Sequence, residues 1–137
     1  LGWVGRSWAP HVERAYLYPR GMRRGEILFN HAALLRETAE PVLVVEGVFD
    51  TLALWPDSAA VLGKPTEWQV AAMVVARRPV VAVLDGDAWR EGRTLAMRLR
   101  FEGQRAGYVR LPPKTDPDEV DPAWLARAAR ESLEAAL

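Results

Sequence analysis

The chain has 137 residues, with 18 Lys and Arg balancing 18 Asp and Glu; half of it is hydrophobic, 26% is charged, and no cysteine is present. Such a length suits one domain with a buried core, and the composition is that of an ordinary globular protein rather than a disordered one. The missing cysteine excludes disulfides and thiolate zinc sites, and no apolar run approaches the length of a membrane span or a signal peptide.

The formal charge of zero hides a gradient. Residues 1–25 hold five arginines against Glu13, a net +4, whereas residues 115–137 hold six acids against Arg127 and Arg130, a net −4. Opposite ends of one small domain are thereby suited to different partners. The first residue is Leu1, so a segment of a longer polypeptide is expected.

Residues 1–25 mix Gly, Pro, Arg and aromatics without a period, which predicts loops and short strands. Arginines beside Trp3, Trp8, Tyr16 and Tyr18 match a single-strand nucleic-acid surface, where guanidinium meets phosphate and rings stack on bases. The same composition better suits an irregular cap over one side of the sheet with buried rings, since basic patches are weak motifs. Glu26–Phe29 reads as a short strand, and Asn30 as the N-cap of a helix over 31–39 with Leu34 and Leu35 inward. Pro41 ends that helix and opens the run Val42-Leu43-Val44-Val45, four consecutive aliphatic residues that read as a strand buried on both faces. The run stops at Glu46-Gly47.

A helix over 48–54, closed by Pro56, leads to a second strand, 59–62. Thr66 and Gln69 form a capping-box pattern that starts a helix running to about Arg77. The third strand, 80–84, repeats the first design, an apolar run ending in Asp85-Gly86-Asp87. The helix from about 88 to 102 carries Leu95 and Leu99 toward the core. Its Arg90, Arg93 and Arg100 share one side, either as a phosphate-facing stripe or as a solvated face. Residues 107–111 make a fourth strand, and Asp121-Pro122 supplies N-cap and first residue of a closing helix to about Ala136. Met and Trp residues are expected in the core, apart from Trp89, which follows the acidic turn. The alternation predicts an α/β fold, a mainly parallel four-stranded sheet with helices on both faces.

In an open α/β sheet ligands bind at the carboxyl ends of the strands, where this pattern delivers Glu46, Asp85 and Asp87. Asp116 and Asp118 follow the fourth strand at the same edge, and Asp50 lies one helical turn past Glu46. Clustered carboxylates supply the hard oxygen ligands that magnesium or manganese takes, and such ions serve phosphoryl transfer. Gly47 and Gly86 leave room for phosphate or metal at the backbone. Acids at strand ends also serve as turn residues and helix caps, and spacing alone leaves both readings open. His11 and His31 lack ligand-like spacing, and no Walker-type loop, nucleophile elbow or dinucleotide fingerprint is present.

Taken in order, Glu46-Gly47-Val48-Phe49-Asp50, Leu62-Gly63, Asp85-Gly86-Asp87-Ala88 and Asp116-Pro117-Asp118 resemble the motifs of a TOPRIM domain. The last motif, with the upstream Gly5-Arg6, Tyr16-Leu17-Tyr18-Pro19 and Arg24-Gly25, is similar to the bacterial- and phage-type (DnaG-like) DNA primases, including those of mobile elements. The resemblance implies a basic N-terminal subdomain over 1–39 and a TOPRIM domain with its C-terminal helix over 40–137. It implies metal-dependent synthesis of RNA primers on single-stranded DNA from nucleoside triphosphates, with Mg2+ or Mn2+, in the cytoplasm and without a membrane. Glu46, Asp85 and Asp87 would be catalytic and metal-binding, with Asp50, Asp116 and Asp118 as further metal-site carboxylates. Arg6, Arg14 and Arg24 would contact template or nucleotide, joined by Arg90 and Arg93 from the later helix. A zinc-binding module and a helicase-contacting region, both known in such primases, would belong to the longer protein. Two alternatives keep the residues but change the role: a TOPRIM nuclease or topoisomerase-type fragment, and a non-catalytic single-strand-binding module. The chain differs from the family pattern where Trp89-Arg90-Glu91 precede Gly92, and where Ala15 precedes the Tyr-Leu pair.

Overall fold

Four apolar runs form the strands of one parallel sheet in the computed structural model, which describes residues 4–6 and 16–137. A two-residue antiparallel pair comes first, β1 (Gly5–Arg6) with β2 (Tyr16–Leu17). The sheet contains β3 (Val42–Val45), β4 (Ser58–Ala60), β5 (Val80–Ala82) and β6 (Ala106–Tyr108). Their spatial order is β4-β3-β5-β6, every pair parallel. The helices are α1 (Ala32–Leu35), α2 (Val48–Ala53), α3 (Glu67–Val74), α4 (Trp89–Phe101) and α5 (Pro122–Ser132).

The period of two along each strand sorts the core into two layers. Val42, Val44, Val80 and Ala82 pack with Leu34, Val70, Met73, Leu95 and Leu99, so α1, α3 and α4 cover one face. Val45, Val81 and Val83 pack with Val48, Val109, Leu125 and Ala129, so α2 and α5 cover the other. Both faces are covered, which is why the strands read as continuous aliphatic runs.

The capping box of α3 forms as its sequence predicts: Thr66 N donates to Gln69 Oε1 at 3.0 Å and Gln69 N to Thr66 Oγ1 at 3.3 Å. Asp121 caps α5 through Trp124 N at 2.8 Å. The segment before α1 differs from expectation. Arg24–Glu26 is a 3-10 turn rather than strand, and Phe29 alone pairs, antiparallel, with Ala60. Asn30 is not a helix cap: at φ 57° its Nδ2 donates to Ser58 O at 2.8 Å and Pro56 O at 3.2 Å, fastening the loop to β4. The helix α1 stops at Leu35 because the Leu34 carbonyl accepts from Arg77 N at 2.9 Å instead of from a later turn. Leu35 is therefore exposed while Leu34 is fully buried. Trp55, Trp68 and Met97 are exposed too, against the expectation that they fill the core.

Candidate active site

Strand order decides where a site can form. The connection leaving β3 runs outward to β4, whereas that leaving β5 runs the opposite way to β6. Between β3 and β5 lies the switch point of the sheet, the place where parallel α/β sheets open a crevice at their carboxyl ends. Glu46 follows β3 directly, and Asp85 lies three residues past β5. A cavity of about 800 Å³ opens there, lined by Glu46, Asp50, Asp85, Asp116 and Asp118. The N-terminal segment supplies its other wall through Leu17, Tyr18, Pro19, Met22 and Arg24.

Each acid is delivered by a local rule. Gly47 caps α2 in an extended conformation, and the first turn of α2 carries Asp50 back toward Glu46. Beyond β5 the chain enters the 3-10 turn Gly86–Ala88. Gly86 N donates to Thr115 O at 3.0 Å, which ties the acidic turn to the loop after β6. A Cβ at position 86 would lie 2.0 Å from the Pro112 carbonyl oxygen. The space beside Gly86 is thus taken by the 112–115 loop, not left for phosphate as its sequence suggests. That close approach brings Asp116 and Asp118 over the end of β5. Their loop closes on a second 3-10 turn, Pro117–Glu119, where Asp116 N donates to Glu119 Oε2 at 2.7 Å.

At the end of β4, buried Leu62 has φ 59°, a left-handed conformation that costs a bulky residue roughly 1–3 kcal/mol. It is held there by the hydrogen bond from its N–H to Glu46 O at 2.9 Å, and its neighbour Gly63 takes φ 135°. Leu62 and Gly63 both line the cavity. The turn therefore sits against the backbone of the residue most central to the site.

The carboxylates are electrostatically coupled. Burial first, then the charges of Asp85, Asp50 and Glu91, raise the pKa of Glu46 from 4.5 to about 7, while a backbone hydrogen bond from Asp85 acts in the opposite sense. Asp50 is raised from 3.8 to about 6 by burial and by Asp85, Asp118 and Asp116. Asp85 is raised by burial and by Asp116, Asp118 and Asp87. Half-buried acids that repel one another are a poor way to stabilise a fold and a common mark of a functional site.

No family model matches the sequence, and no curated protein does. Solved structures do. A primase of Aquifex aeolicus comprising zinc-binding and RNA polymerase domains matches with TM-score 0.73 and 24% identity, over 97% of this chain and 36% of that one. A DnaG catalytic core matches with TM-score 0.64 and 25% identity over 98% of this chain and 46% of that one. The RNA polymerase domain of Mycobacterium tuberculosis DnaG, in complex with double-stranded DNA, gives TM-score 0.68 and 21% identity over 96% and 50%. This is a DnaG-like primase fold. The chain spans between about a third and a half of the primase chains it matches.

Against this DnaG-like frame, the residues singled out in the sequence divide three ways. Glu46, Asp50, Asp85, Asp116, Asp118 and Arg24 come together around the cavity. Asp87 is exposed on the 3-10 turn and does not line it, although its charge acts on Asp85. Arg90 and Arg93 are exposed on α4, outside the cavity lining. Arg100 leaves the expected stripe altogether, donating to the carbonyls of Ala106, Ser132 and Ala135. Arg14 lies outside the described residues, and for Arg6 the backbone in β1 is described.

The DnaG-like fold raises the question of a divalent ion. Among the described residues no group of three or more His, Asp or Glu side chains is positioned to hold one. The chemistry nevertheless fits: oxygen donors converge, and Asp85 Oδ1 is buried without a hydrogen-bond partner. A cation would relieve the mutual repulsion that adds to burial in raising all three pKa values. Sequence reasoning missed Glu91, which acts on Glu46 from the first turn of α4, and the Tyr18–Arg24 stack at 4.7 Å on the cavity wall. Glu91 was legible as one turn beyond Asp87; the stack was not, since it depends on how residues 16–26 fold back.

Proposed function

We propose that this chain is the catalytic part of a primase-like nucleotidyltransferase that joins nucleotides on a single-stranded DNA template. The observation that carries the reading is the convergence of five carboxylates at the switch point of a sheet whose fold matches primase cores. Residues 1–39 serve as a basic subdomain, of which residues 17–24 wall the cavity, and residues 40–137 as the TOPRIM domain. Glu46 and Asp85, which line the cavity, are the residues that would hold Mg2+ or Mn2+, supported by Asp50, Asp116 and Asp118, with Asp87 adding negative charge from the exposed turn beside them. Such an ion, when bound, offsets phosphate charge and polarises the phosphoryl group under attack.

The chain's own groups account for the rest. Glu46, raised to about 7 in the metal-free protein by burial and the neighbouring acids, is the carboxyl placed to exchange a proton with the reacting hydroxyl. It takes the proton of the primer 3′-hydroxyl; the oxygen forms a bond to the α-phosphorus of the incoming nucleotide, and the bond to pyrophosphate breaks. Arg24, stacked on Tyr18, is the cation that lines the cavity among the described residues and would face the triphosphate. Arg6 and Arg14 of the basic N-terminal segment and Arg90 and Arg93, exposed on α4, would contact the strand. Similarity over nearly the whole chain to primases favours nucleotide joining over phosphodiester hydrolysis.

The deciding experiment is primer synthesis on single-stranded DNA with nucleoside triphosphates and Mg2+ or Mn2+, comparing the protein with its Asp85→Asn/Asp87→Asn variant. Synthesis lost in the variant is the expected result; synthesis left intact would sink the proposal. Nicking of labelled DNA without nucleotides would point to the nuclease alternative, and single-strand binding with neither activity to a non-catalytic module.

A further inference from the structure

The arginines of the described residues divide by partner. Seven of them end on a carboxylate within salt-bridge distance, and Arg100 ends on main-chain carbonyls. Arg20, Arg24, Arg90, Arg93, Arg110 and Arg127 do neither and are exposed; three of these, Arg90, Arg93 and Arg110, belong to α4 and the loop after β6. Two of them share an aromatic ring instead. The Cζ of Arg90 lies 4.6 Å and that of Arg110 4.5 Å from the ring centroid of Trp89.

Two like charges gathered on one ring without a counter-ion repel each other. The negative face of the indole holds them there, and the partner that completes such an arrangement is an anion. A guanidinium stacked by its face keeps its in-plane N–H donors available, in the fork geometry that suits phosphate oxygens. Position agrees with this. Trp89 opens α4 straight after the acidic 3-10 turn, and Arg110 follows β6 by two residues, so the ring and both cations lie at the carboxyl edge of the sheet. None of the three lines the cavity itself.

We propose that Trp89, Arg90 and Arg110 form a platform that takes the phosphate backbone of single-stranded nucleic acid where it passes the rim of the active site. The inference rests on the nucleic-acid part of the function proposed above. A reacting triphosphate has to enter the cavity, where Arg24 awaits it; a strand runs on beyond the rim, where the platform lies. The role of Trp89 is to hold two guanidinia in place, so it acts as a positioning residue for the two that make contact.

The test is a fluorescence-anisotropy titration of a labelled oligothymidylate against the protein over a series of salt concentrations. Arg110→Ala and, separately, Arg90→Ala should weaken binding roughly five-fold and lower the log–log salt slope by about 0.7, one phosphate contact on a single strand. Trp89→Ala keeps both charges but frees them, so affinity falls with the slope unchanged, and Trp89→Phe restores it. Arg127→Ala, an exposed arginine on α5, serves as the control. Thermal melts on the same samples verify folding, and the two exposed arginine variants remain informative should Trp89→Ala unfold. Arginine variants that bind like the control would overturn the platform. A raised KM for nucleotide in primer synthesis with strand affinity unchanged would overturn it as well, by assigning the arginines to the triphosphate. Asp85→Asn/Asp87→Asn separates the two proposals, because it removes catalysis while leaving the platform's strand binding in place.

Discussion

Replacing Glu46 by Gln should stabilise the metal-free protein at alkaline pH while destroying its activity. The folded-state pKa of Glu46 is about 7 against an ordinary 4.5. Between those values the native state holds the proton more firmly than the unfolded chain, so stability falls as pH rises. The penalty is absent below about pH 4.5 and complete above about pH 7. A carboxyl carried over that interval corresponds to roughly 3.4 kcal/mol. Glu46 is only half-buried, and solvent screening reduces the expected figure to about 1.5 kcal/mol. For a domain of this size that is about 5 °C in melting temperature. Gln has the shape of the protonated acid and carries no charge, so the variant should match the wild type at pH 4.5 and exceed it at pH 8. Urea denaturation at both pH values, with a chelator present, reads the difference. Primer synthesis should meanwhile fall on the order of 10²–10⁴-fold, the usual loss for a proton-transfer group. A variant no more stable than wild type at pH 8, or equally stabilised at both pH values, would refute the reasoning.

Three further changes test the scaffold. Gly86→Ala drives a methyl against the Pro112 carbonyl; a loss of about 2–3 kcal/mol in denaturation is expected from overpacking, with primer synthesis lost even below the melting transition. Arg78 is buried, donating to Asp57 at 2.8 Å and to the carbonyls of Glu40 and Pro41 at 2.8 and 3.0 Å. It lies before β5 at the amino end of the sheet, so Arg78→Ala should cost about 3–5 kcal/mol in urea denaturation yet leave the KM for nucleotide unchanged at low temperature. Gln69 is fully buried, and its Nε2 donates to the carbonyls of Ile27 and Val61 at 2.7 and 2.9 Å and to Arg24 O at 3.2 Å. Gln69→Leu should cost about 2–3 kcal/mol through the carbonyls it strands, and should raise the KM for nucleotide because Arg24 loses its anchor.

The sheet was legible because its strands are buried on both faces, and continuous aliphatic runs mark such strands without regard to tertiary detail. Strand ends were less so. Val83, Leu84 and Val109 continue the apolar runs and are buried, but they leave the strands and form the starts of the acidic loops. The segment before β3 misled for a different reason: Asn30 and Leu34 give their polar groups to β4 and to Arg77 rather than to a helix, contacts made by residues more than twenty positions away. The carboxylates were legible as strand-end residues. Their mutual coupling was not, since it depends on the 112–115 loop lying directly on Gly86. The rings and arginines at the cavity rim illustrate the same limit, because composition placed them near nucleic acid without indicating which pair with each other.

The acidic cavity explains why the surrounding structure is so closely tied. Five carboxylates brought to one crevice push apart the elements that carry them, so something else must hold β3, β5 and the loop after β6 together. The two core layers hold the strands, and the contact between Gly86 and the 112–115 loop holds the third element in register. Leu62 adds to this from β4, kept in a left-handed conformation by the carbonyl of Glu46 itself. Repulsion at the site and rigidity beneath it are therefore two sides of one arrangement. Relaxing the scaffold at Gly86 would let the carboxylates separate and lower the pKa values of Glu46, Asp50 and Asp85 toward ordinary ones, whereas removing the Glu46 charge would leave the scaffold intact and more stable. Activity is lost both ways, but the stability changes have opposite signs, and that opposition is what ties the strained geometry to function rather than to packing alone.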